Sequence, residues 1–128
     1  MSRILIVDDD PHVRNMLERV LRKADHDVET AENGKDALRV QRERPVDLIV
    51  TDIIMPEKEG LETITELRKS FPAVKIIAIS GGGRIGPAQY LKMAEILGAD
   101  RTFSKPFNPS ELIAAVDELL APGEESNQ

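Results

Sequence analysis

The chain has no cysteine, which excludes disulfides and thiolate-bound metals and fits a reducing compartment. It has no basic run either, and its net charge of −6 argues against a DNA- or RNA-binding footprint. No apolar stretch approaches the roughly 18–20 residues of a membrane span, so membrane insertion is not expected. A signal peptide is not expected, because a strand-like apolar run opens already at Arg3. A cytoplasmic domain is the expectation. At 128 residues the chain suits one domain with a single sizeable core.

What is present is a set of short β-rich runs, each followed by a helical pattern. Arg3 to Val7 leads into Asp8, Asp9 and Asp10; Asp47 to Thr51 ends in Asp52; Val74 to Ile79 ends in Ser80. Runs with so little alternation read as strands covered on both faces, hence a parallel sheet. Val28–Ala31 and Arg101–Ser104 read as two further, weaker strands. Asp10 caps and Pro11 opens the first helix, whose Val13, Met16, Leu17, Val20, Leu21 and Ala24 are expected to form one buried stripe. Asn33-Gly34 turns into a second helix carrying Ala37, Leu38 and Gln41. Leu61, Ile64 and Leu67 mark a third; a fourth runs from Pro87 to Leu97 and closes at Gly98. Asn108 and Pro109 open a fifth. Five βα units with right-handed crossovers make an α/β doubly wound sheet.

Ligands of such sheets bind at the carboxyl ends of the strands. Asp8, Asp9 and Asp52 are expected to meet there with Ser80 and Lys105. Three carboxylates at ~4 Å repel by a few kcal/mol per pair at an effective dielectric near 20. A proton or a cation must relieve this. An all-oxygen donor set suits a hard ion, and Mg²⁺ tolerates a few carboxylates plus waters. Cation, ammonium and hydroxyl together are what a transferring phosphoryl group needs around its oxygens. Asp52 can then be the attacking nucleophile. Asp10 is read as a helix cap, while His12 and His26 flank no acid cluster and are expected at the surface.

Asp8-Asp9, Asp52, Ser80 and Lys105-Pro106, in that order and each after a strand, resemble the receiver domain of two-component response regulators. The resemblance runs from Arg3 to about Leu120. It implies a flavodoxin-like (βα)5 fold, a five-stranded parallel sheet in the order 2-1-3-4-5, over residues 1–121; residues 122–128 are polar and expected to form a disordered tail. It also implies Asp52 as phosphoacceptor and Asp8 and Asp9 as the metal-binding acid pair. The backbone carbonyl of Ile54 would complete the Mg²⁺ shell. Lys105 would pair with the phosphoryl group, Ser80 would be the switch hydroxyl, and the Lys105–Pro106 peptide would be cis. The implied partners are a sensor histidine kinase or histidine phosphotransfer protein and a downstream protein effector. Such a domain catalyses its own phosphorylation and dephosphorylation without being an enzyme in the usual sense.

Two features depart from the family pattern. Thr102 stands where an aromatic or His switch residue is usual, and Phe103 beside it should face the other side of the sheet. The Gly81-Gly82-Gly83 segment makes the interval from Ser80 to Lys105 longer than is common. Competing readings are a haloacid-dehalogenase-like phosphatase and a pseudo-receiver that works without phosphorylation. The first finds its Asp-x-Asp in Asp8 and Asp10, but lacks an acidic pair after Lys105 and leaves Asp52 unexplained. A receiver cut from a longer regulator with an output domain would read the same.

Overall fold

The computed structural model describes residues 2–53, 59–80 and 87–121. Elements alternate along the chain: β1 (Arg3–Val7), α1 (Pro11–Lys23), β2 (Asp27–Ala31), α2 (Gly34–Glu43), β3 (Leu48–Asp52), α3 (Glu59–Ser70), β4 (Lys75–Ser80), α4 (Pro87–Leu97), β5 (Arg101–Ser104) and α5 (Pro109–Leu120). All neighbouring strands pair in parallel, in the order β2-β1-β3-β4-β5. The expected architecture and strand order are thus found.

Alternation along each strand divides the core in two. Leu5, Val7, Ile49 and Ile76 face α2, α3 and α4 and pack on Ala37, Leu61, Ile64 and Leu67. Ile4, Ile6, Val50 and Ile77 face α1 and α5 and pack on Leu17, Leu21, Leu112 and Val116. Each fully buried Leu or Ile contributes about 1.5–3 kcal/mol, which is why these strands carry apolar residues at consecutive positions.

Local chemistry sets the helix ends. Asp10 accepts from the His12 amide, Asn33 from the Asp36 amide and Asn108 from the Ser110 amide. The stripe expected on α1 is narrower than its periodicity suggests: Leu17 and Leu21 are buried, whereas Met16 is 37% exposed. Met16 falls at the edge of the face that α1 turns to the sheet. His26, expected at the surface, is turned inward instead. Its side chain is 9% exposed, and Nε2 lies 3.2 Å from Asp117 Oδ1 on α5.

Gly34 is needed for space. It begins α2 against α3, and a Cβ there would overlap Thr63 Oγ1. Gly34→Ala is therefore expected to cost about 1–3 kcal/mol through overpacking. Urea unfolding checks this, and a loss of only a few tenths would show that the two helices separate freely.

Candidate functional site at the carboxyl edge of the sheet

Asp8 follows β1 and is 2% exposed. Its amide donates to Ala31 O of β2, so it leaves the sheet only after one more ladder bond. The carboxylate is then aimed locally, the Asp10 amide donating to Oδ1 at 2.9 Å. Asp52 ends β3 and is likewise buried. Lys105 follows β5, its amide donating to Ser80 O at 2.8 Å, which ties the lysine to the end of β4. From there its Nζ donates to Asp52 Oδ2 at 3.0 Å and lies 3.8 Å from Asp8 Oδ2. The Lys105–Pro106 peptide is cis, as expected.

Among the described residues, two buried carboxylates thus sit against the ammonium of Lys105. The Asp8 carboxyl is pushed up to about 6, chiefly by burial; the Asp10 amide opposes this and the nearby Asp52 charge adds to it. Burial disfavours the charge of Lys105, but its hydrogen bond to Asp52 and the charges of Asp52, Asp8 and Asp10 outweigh this and push it up. The ammonium stays charged. Ser80 is fully buried, and its Oγ has no hydrogen-bond partner among the described residues. A buried hydroxyl without a partner is costly, and an oxygen-rich ligand at this edge would give it one.

The structure therefore gathers Asp8 and Asp52 around the Lys105 ammonium and sets Ser80 at the end of the adjoining strand. Asp9 is exposed at the rim, where its charge adds a little to the upward push on Asp8. Among the described residues no three acidic or imidazole groups lie close enough together to form a metal cage. Ile54 and the glycines at 81–83 lie outside the described residues, as does the expected tail. Within what is described, the donor chemistry fits a hard divalent cation: two crowded carboxylate sites, one of them held toward its protonated form by burial. Thr102 pairs in register with Ala78 and is half-buried. Phe103 packs on the α1–α5 side, edge-on to Phe107 at 5.8 Å, as strand alternation requires. Arg14, which the sequence pattern does not single out, donates from NH1 to Asp8 O at 2.8 Å. Its place one helical turn beyond Asp10 was the available signal.

Residues 4–117 match the family model of the response regulator receiver domain. The chain is 31% identical to the chemotaxis protein CheY of Halobacterium salinarum, over 93% of this chain and 97% of that protein. It is 38% identical to a transcriptional regulatory protein CpxR homolog of Haemophilus influenzae, over 94% of this chain but 51% of that protein. The chain thus spans nearly the whole of one relative and about half of the other. Among solved structures it is similar to response regulator protein TrrA of Thermotoga maritima in complex with Mg(2+)-BeF, with a TM-score of 0.82 and 36% identity over 94% of this chain and the whole of that one. No helix among the described residues is long and apolar enough to cross a membrane.

Proposed function

Since this chain belongs to the response regulator receiver family of two-component systems, we propose that Asp52 is its phosphoacceptor and that the carboxyl edge of the sheet is its phosphorylation site. The observation that carries the reading is the ammonium of Lys105, held 3.0 Å from Asp52 Oδ2 and 3.8 Å from Asp8 Oδ2. An Asp52 oxygen would attack the phosphorus of a phosphohistidine. The P–N bond breaks, the imidazole leaves with its electron pair and takes up a proton, and an acyl phosphate remains on Asp52. Lys105 would move its contact to a phosphoryl oxygen, and the Ser80 hydroxyl would donate to another. Asp8, Asp9, Asp52 and the Ile54 carbonyl would hold Mg²⁺. When bound, that ion supplies the positive charge a phosphoryl oxygen needs.

The donor would be a sensor histidine kinase or histidine phosphotransfer protein, and the product surface would be read by a downstream protein effector. A cytoplasmic setting follows from that partnership. The phosphatase alternative is not favoured, because it leaves Asp52 and its lysine contact without a role.

Incubation with acetyl phosphate and Mg²⁺, followed by intact mass and peptide mapping, tests the proposal. One phosphoryl group is expected on Asp52, with none in chelator and none in Asp52→Asn. Modification persisting in Asp52→Asn, or independent of a divalent ion, would overturn it.

A further inference from the structure

Helix α1 carries two arginines that each donate to a main-chain carbonyl of a strand or its extension, at opposite ends of the sheet. Arg22 NH2 donates to Val28 O at 3.0 Å near the amino edge. Arg14 NH1 donates to Asp8 O at 2.8 Å at the carboxyl edge. The second bond falls where the chain has left the ladder: β1 pairs with β3 only as far as Val7 opposite Thr51. The carbonyl that Arg14 takes belongs to the peptide joining Asp8 to Asp9, so the guanidinium fixes that peptide plane. Asp8 has a second restraint in the Asp10 amide on its Oδ1. Asp9 is exposed, and no hydrogen bond or ion pair of its side chain is found among the described residues. The direction of its carboxylate therefore depends on the backbone that Arg14 holds.

Resting on the metal site proposed above, we infer that Arg14 is a positioning residue for that site, acting through the Asp8–Asp9 peptide to aim the Asp9 carboxylate. Its role is separable from stability because Arg22 makes the same kind of bond away from the site. Removing the donor while keeping the stem, as in Arg14→Met, frees the carbonyl to turn toward water. The backbone from which Asp9 would reach an ion is then no longer fixed. Groups that orient a metal ligand typically change affinity by 10–100-fold, and a part-buried peptide held by one side-chain bond belongs at the lower end, about tenfold.

The test compares the parent, Arg14→Met, Arg14→Lys and Arg22→Met by calorimetric Mg²⁺ titration, urea unfolding and phosphorylation by acetyl phosphate. Arg14→Met is expected to bind Mg²⁺ about tenfold more weakly, with its phosphorylation rate largely restored at saturating Mg²⁺. Arg14→Lys, which keeps a donor of similar reach, is expected to recover part of the affinity. Arg22→Met, which also removes the contact to Glu18, should lose at least as much stability with unchanged Mg²⁺ affinity. Equal Mg²⁺ affinity in the parent and Arg14→Met, or equal weakening in Arg22→Met, overturns the inference. If the parent itself neither binds Mg²⁺ nor accepts a phosphoryl group, the site assignment has failed instead.

Discussion

In chelator near neutral pH, Asp8→Asn is expected to be more stable than the parent by about 2–3 kcal/mol, a shift of about two pKa units at 1.36 kcal/mol each. The Asp8 carboxyl titrates at about 6 in the folded protein against 3.8 for a free side chain, first because it is buried. Its folded pKa is raised, so between these values the folded state binds more protons than the unfolded one. Its contribution is therefore most favourable below about pH 4, falls as pH rises toward 6, and is level above that. Asparagine keeps an acceptor for the Asp10 amide and removes the charge. The stability difference between parent and variant should open across that window and close again in acid. Divalent cation should act on the parent alone, adding about 2.7 kcal/mol at a hundredfold excess over its dissociation constant. Parallel pH curves for the two proteins would show that Asp8 is not held toward its protonated form. If the proposed site is right, the same substitution should abolish efficient phosphorylation.

The second large effect is expected far from the site. Arg68, near the end of α3, donates to Pro72 O and Val74 O at 2.8 Å, to Gly98 O at 2.8 Å and to Asp100 Oδ2 at 3.1 Å. Asp100 Oδ2 in turn accepts from the Ile76 amide. One guanidinium thus joins the end of α3, the start of β4 and the turn after α4, where Gly98 takes a left-handed φ of 125°. Hydrogen bonds to a charged group contribute about 1.5–3 kcal/mol each, and partial solvent access lowers that, so Arg68→Ala should lose about 2–4 kcal/mol. Arg68→Lys should recover little, since an ammonium cannot span acceptors laid out for a planar fork. Urea unfolding measures the loss, and faster hydrogen exchange at Gly98 and Ile76 should locate it. A change below about 1 kcal/mol, or full rescue by lysine, would mean that the carbonyls find water as readily as the guanidinium.

Much of this molecule is legible in its sequence. Consecutive apolar residues in Ile4 to Val7 and Ile76 to Ile79 demanded strands covered on both faces, and parallel strands put Asp8, Asp52, Ser80 and the residue after β5 at one edge. Helix ends could be read from Asp10, Asn33 and Asn108, because a cap is a bond between neighbours in the chain. The facing of Phe103 away from Thr102 followed from the two-residue period of a strand.

Other features depend on which distant residues approach within hydrogen-bond distance, and local pattern carries no such information. Asn33-Gly34 reads as a turn, yet Gly34 is required by Thr63 on another helix. Met16 matched the helical period of α1 but lies at the edge of its buried face, and His26 is drawn inward beside Asp117. Arg14 and Arg68 look like solvated surface charges until the carbonyls they satisfy are seen. The largest decision of this kind concerns the acids themselves. Residue order placed Asp8, Asp9 and Asp52 at one edge, but only the tertiary structure buried the first and the last around Lys105 and left Asp9 in solvent. Burial is set by the whole packed chain, and burial is what raises the pKa of Asp8.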